Sequence, residues 1–144
     1  VDGPPVEGRL LGGNLALLAH LCGTADLPDT DGAILLLEDV DEAPYRLDRQ
    51  LTQLRLAGLL ARVNGVVLGD FVDCDGEQGD PPRMVTARTV LARRLGDLGV
   101  PLVAGAPLGH GRRNYPLPLG LPARLDPGQG TLTFPSTAAA QPPG

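Results

Sequence analysis

The sequence predicts an α/β fold with a mixed, β-rich sheet, and three observations lead there. Two short apolar runs, Ala33 to Leu37 and Gly65 to Gly69, have the length and pattern of strands buried on both faces. Stretches with apolar residues at helical spacing precede, separate and follow them. From Ala106 to Phe134 the pattern changes to short β-type segments broken by Pro and Gly.

Each element has its own local warrant. Residues 1–7, with Gly3-Pro4-Pro5, read as a linker, and the domain is taken to run over 8–134. Gly8 to Gly13 is a short strand ending in a glycine turn. Asn14 stands where a helix N-cap belongs, Leu15, Leu18 and Cys22 follow at helical spacing, and Gly23 closes that helix. Asp26 to Asp31 is an acidic turn. The Ala33–Leu37 strand exits at Glu38, and Pro44 fits the first turn of a second helix. The apolar stripe of that helix is Leu47, Leu51, Leu54 and Ala57. After the Gly65–Gly69 strand, Asp70 to Pro82 reads as a surface loop. A third helix spans Met84 to Leu98, with Ala87, Leu91, Leu95 and Leu98 on one face and Gly99 at its end. Val100 to Gly105 is a strand, and Arg124 to Phe134 forms a closing hairpin turning between Asp126 and Gly130. Residues 135–144, rich in Pro and Ala, read as a disordered tail.

Composition narrows the chemistry. The chain has 144 residues, enough for one domain, and 42% are hydrophobic, so it can bury a core. A net charge of −5, no basic stripe and 3% aromatic residues argue against a nucleic-acid partner. All 12 cationic residues are Arg, which excludes lysine nucleophiles and lysine bases. Cys22 and Cys74 lack CxxC spacing and read as reduced, structural thiols of a cytoplasmic protein. No apolar run approaches a membrane span, and nothing resembles a signal peptide. His20 beside Cys22 is too small a ligand set for zinc, so no metal or other cofactor is expected.

Two residues stand out as candidate catalytic groups. Glu38 follows an apolar run, and the C-terminal end of a strand is where α/β proteins place site residues. His110 lies between glycines in Leu108-Gly-His-Gly111, and His is the usual general base near neutral pH. A carboxylate orienting an imidazole is two-thirds of a catalytic triad. The third member is missing, since the only serine, Ser136, lies in the Pro/Ala-rich tail. Asp39, Asp41 and Glu42 read as solvated acids near the start of the next helix. Gly12-Gly13-Asn14 fits an anion-binding turn or a plain turn and cap. Arg112 and Arg113 fit either a substrate carboxylate clamp or a solvated pair. Asn114 either orients a neighbour or makes a turn.

Four blocks in fixed order carry a resemblance: Gly8-Arg-Leu-Leu-Gly-Gly-Asn-Leu15; Leu36-Leu-Glu-Asp-Val40; the segment from Pro44 to Gly58; and Gly109-His-Gly111 with Leu117-Pro-Leu-Gly120. Together they resemble the C-terminal domain of the LD-carboxypeptidases, the serine peptidase family that includes microcin C self-immunity proteins. The resemblance implies a swivelling β/β/α domain in which Glu38 and His110 are the triad carboxylate and histidine. It implies a preceding N-terminal domain that supplies the serine and the oxyanion hole, a muropeptide substrate cleaved at the L,D-amide bond to terminal D-Ala, and a homodimer. Asn14 and Arg112 are the candidate substrate contacts. Because the chain has no counterpart of the nucleophile domain, it reads as a fragment inactive alone. Two other readings stay open. One is an amidase conferring self-immunity on an aminoacyl-nucleotide toxin. The other is a non-enzymatic swivelling carrier with His110 as phosphoryl acceptor.

Overall fold

The computed structural model describes residues 3–75 and 85–135. It contains one six-stranded mixed sheet in the order β4-β3-β2-β1-β5-β6. Strand β1 (Val6–Asn14) runs parallel to β2 (Ile34–Val40), which runs parallel to β3 (Gly65–Val72) and, through it, to the short β4 (Leu102–Ala104). On its other edge β1 pairs antiparallel with β5 (Pro122–Asp126), and β5 with β6 (Thr131–Thr133). The fold is therefore α/β with a mixed sheet.

The β2 run is apolar at successive positions because both faces are covered. Leu35 and Leu37 join Val66 and Leu68 against α1 (Leu15–His20), α2 (Pro44–Leu56) and α3 (Ala87–Leu95). Ile34 and Leu36 join Leu10, Val67, Leu108 and Leu125 on the opposite face. Among the described residues no helix contributes to the cluster on that second face. The segment between β4 and β5 lies over it, with Leu108 buried and Leu117 packed alongside. An Asp48 clamp ties α2 to α3: its carboxylate accepts from Arg94 Nε at 2.7 Å, Arg94 Nη2 at 2.8 Å and Arg93 Nη2 at 2.9 Å.

Several boundaries differ from the sequence reading. Strand β1 begins at Val6, inside the stretch read as linker, because Val6 already pairs with Leu125. Helix α1 stops at His20 rather than reaching Gly23. Ala57 is the exposed C-cap of α2 and not part of its buried stripe. Helix α3 begins at Ala87 and ends at Leu95, capped by Gly96, where an added Cβ would lie 2.5 Å from the Ala92 carbonyl oxygen. The expected start at Met84 lies outside the described residues, as do Ser136 and the tail beyond it. Strand β3 runs on to Val72, taking residues 70–72 out of the expected loop. The hairpin forms as read, with Asp126 opposite Thr131 and Gln129 N donating to Asp126 Oδ1 at 3.1 Å.

Candidate active site

Glu38 does not sit at the exit of its strand. β2 continues through it to Val40, held by Asn14 on one side and by Phe71 and Val72 on the other. Beside it the β2–β3 register shifts: Leu37 pairs with Leu68, but Asp39 pairs with Phe71. The extra length belongs to β3 at Gly69 and Asp70. Such bulges re-aim side chains locally. Gly69 fits this position because a Cβ there would lie 3.1 Å from Glu38 Cβ and 2.5 Å from the Leu108 carbonyl oxygen.

The loop carrying His110 is stitched to the end of β3. Ala106 N donates to Leu68 O at 3.1 Å, and Asp70 N donates to Leu108 O at 2.8 Å. The loop also closes on itself: Tyr115 N donates to Pro107 O at 3.2 Å, and Gly109 N donates to Asn114 Oδ1 at 3.3 Å. Asn114 thus holds the loop carrying the imidazole. Gly109 has φ +108°, and a Cβ on it would lie 2.5 Å from Glu38 Oε2. A glycine is required there twice over, for the backbone angle and for the space.

These supports bring together two side chains that are 72 residues apart in the chain: His110 Nδ1 lies 2.8 Å from Glu38 Oε2. The Glu38 side chain is 9% exposed and that of His110 is 52% exposed. The carboxylate is therefore inside and the imidazole is at the surface. With the Nδ1–H donating to Glu38, the neutral ring turns the Nε2 lone pair away from its partner, as a general base requires. A hollow of about 310 Å³ opens at the pair, with Leu36, Leu108, Leu117 and Leu119 as apolar lining and Tyr115 at its rim.

Asn14 lies directly opposite Glu38 in the β1–β2 register. Its Oδ1 caps α1 by accepting from Leu17 N at 3.0 Å, and its Nδ2 donates to Asp39 Oδ1 at 2.9 Å. Arg112 is exposed two residues past His110, and neither it nor Asn14 lines the hollow. His20 is exposed, with Nδ1 2.7 Å from the Ala16 carbonyl oxygen. Asp39 corrects the sequence reading: it is 2% exposed, not a solvated acid. No signal in the run Asp39 to Glu42 separates the buried Asp39 from the acids that follow it. Cys22 and Cys74 are free thiols, and burial pushes Cys74 up to about 11.

Comparison with known proteins adds the following. The model of the LD-carboxypeptidase C-terminal domain matches residues 7–125. A Synechocystis protein named as a carboxypeptidase is 49% identical over 128 residues, covering 89% of this chain and 42% of that protein. The murein tetrapeptide carboxypeptidase of Pseudomonas aeruginosa is 43% identical over 127 residues, covering 84% and 38%. The microcin C7 self-immunity protein of Escherichia coli is 30% identical over 124 residues, covering 84% and 34%. The crystal structure of muramoyltetrapeptide carboxypeptidase from Oxalobacter formigenes superposes with a TM-score of 0.79 at 37% identity, covering 94% of this chain and 49% of that one. The chain thus spans less than half the length of these relatives. Among the described residues no helix is long and apolar enough to cross a membrane.

Proposed function

The chain belongs to the LD-carboxypeptidase C-terminal domain family, and from that premise we propose that it is the base-bearing half of a serine LD-carboxypeptidase. The whole protein would hydrolyse the L,D-amide bond that joins a diamino acid to the terminal D-Ala of a murein tetrapeptide. The observation that carries this reading is the 2.8 Å contact between a buried carboxylate and a half-exposed imidazole. The triad serine and the oxyanion hole belong to a preceding domain, in keeping with a chain that spans about 40% of its relatives. That domain covers the hollow and the half-exposed Tyr115, Leu119 and Leu121.

In this mechanism His110 Nε2 takes the serine proton as the hydroxyl attacks the amide carbonyl. Glu38 accepts the Nδ1–H, fixes the tautomer and stabilises the imidazolium. The imidazolium then protonates the leaving amine, and D-Ala departs from an acyl-enzyme. Water, deprotonated by the same nitrogen, releases the shortened peptide. Asn14, beside Glu38, binds substrate, and Arg112 reaches a substrate carboxylate. The protein acts in the cytoplasm on recycled muropeptides, as a homodimer.

The test is D-Ala release from a tetrapeptide by the full-length protein. His110→Ala should lower kcat by a factor on the order of 10³ or more, because triad members act as a unit. The 144-residue chain alone should show no turnover. Activity that survives His110→Ala would remove the reading. A second reading, cleavage of an aminoacyl-nucleotide analogue, has the 30% identical self-immunity protein in its favour. Parallel assays with both substrates decide between them, and the higher identity to the murein enzyme favours the first.

A further inference from the structure

The mechanism leaves one buried carboxylate unused. Glu38 and Asp39 are successive residues of β2, so their side chains leave opposite faces of the sheet. Glu38 meets the His110 loop, and Asp39 meets the start of α1. Asp39 Oδ1 accepts from Asn14 Nδ2 and from Val40 N, each at 2.9 Å, and Oδ2 accepts from Ala16 N at 2.9 Å. Three N–H donors, and no cationic side chain among the described residues, hold this carboxylate.

The consequence falls on Asn14. Its Oδ1 accepts from Leu17 N while its Nδ2 donates to Asp39. Flipping the amide would set NH₂ against an N–H and a carbonyl oxygen against a carboxylate. Both contacts are repulsive, so the amide has one orientation. One Nδ2 hydrogen remains uncommitted, on a residue directly opposite Glu38.

We propose that Asp39 is a positioning residue: it fixes the Asn14 amide so that the spare Nδ2–H is presented to a carbonyl or carboxylate oxygen of the substrate at the C-terminal end of β1, one strand away from Glu38. Asp39 itself, 2% exposed, does not touch substrate. The proposal rests on the reading that Asn14 contacts substrate.

Asp39→Asn in the full-length protein keeps the shape but turns one acceptor into a donor. We expect KM to rise roughly tenfold, as for loss of one oriented hydrogen bond, with kcat within about threefold. Asn14→Ala should raise KM similarly, and the double variant should be no worse than Asn14→Ala alone. A fall in thermal stability with KM unchanged, or effects on KM that multiply in the double variant, would show a strut with no positioning role and overturn the proposal. A measurement on the otherwise native protein guards against a variant that fails to fold. In His110→Ala protein labelled with ¹⁵N-asparagine, Asn14 should give two well-separated Nδ2 proton signals, one of which shifts when tetrapeptide is added. Averaged signals, or two that ignore the peptide, refute the proposal. Activity surviving His110→Ala would instead refute the triad reading, so the two failures are distinguishable.

Discussion

Gly109→Ala is the sharpest perturbation of the proposed active site. Two costs can be worked out. The backbone angle of φ +108° is one that an L-residue adopts only under strain, on the order of 1–2 kcal/mol. The new Cβ would also lie 2.5 Å from Glu38 Oε2, 3.0 Å from Glu38 Cβ and 3.1 Å from Glu38 Cδ. Real Cβ atoms do not approach oxygen so closely, so either the loop or the carboxylate must withdraw by several tenths of an ångström. The atom displaced is the one that holds His110 Nδ1. Misplacement by about 1 Å costs on the order of a hundredfold in rate, or about 2.7 kcal/mol. Gly99→Ala separates the two costs. Gly99 has φ +70°, but its Cβ would meet nothing within 4 Å. It should lose about 1 kcal/mol of stability through strain alone and keep its activity. The assay is kcat/KM for D-Ala release by the full-length protein, paired with urea unfolding. If Gly109→Ala loses no more activity than Gly99→Ala, the Glu38–His110 contact is not what the reaction uses.

Two further predictions concern the frame around the site. Hydrogen bonds from Arg94, helped by Arg93, hold the Asp48 carboxyl down to about 2 from an ordinary 3.8. A depressed carboxyl adds stability that is present above 3.8 and lost as pH falls towards about 2. Asp48→Asn should therefore cost roughly 1 kcal/mol at neutral pH after solvent screening, and urea midpoints of variant and parent should converge on acidification. A gap that stays constant with pH would refute the assignment. Burial raises both thiols, with Cys74 up to about 11. Alkylation at mildly alkaline pH should label Cys22 in the native protein and Cys74 only after unfolding, as read by mass spectrometry. Equal native labelling rates would contradict the buried position of Cys74.

What was legible in the sequence was whatever local periodicity decides. The apolar runs of β2 and β3 announce strands covered on both faces, and Asn14 announces a cap by its type and place. Glu38 and His110 were singled out by position and setting, and the fold brings them within 2.8 Å, although Glu38 lies inside β2 and not at its exit. What was not legible depends on partners distant in the chain. Strand β2 outlasts its apolar run because Asn14, Phe71 and Val72 supply backbone partners beyond Leu37. Gly69 looked like the end of a strand, yet it is the place where β3 gains a residue and makes room for Glu38. Ala57 fits the periodicity of α2, but the helix ends before it.

Asp39 shows the same limit most clearly, and it ties the fold to the site. A run of acids before a helix usually means solvated charge at a dipole, and that reading takes Glu38 and Asp39 as unlike residues with unlike fates. In the fold both are buried, and strand alternation divides their work. One carboxylate faces the loop and holds an imidazole; the other faces α1 and holds an asparagine amide. Both rest on the parallel pairing that puts Asn14 opposite Glu38. A one-residue slip in that register would exchange the two faces. The carboxylate meant for His110 would then lie against α1, and the acid of the helix cap would lie under the loop. The unbroken apolar run of β2 cannot by itself oppose such a slip, since it is hydrophobic on both sides. The polar contacts at its end can: Asn14 Nδ2 and Ala16 N reach Asp39 from across the β1–β2 pairing, and only the native register lets both do so.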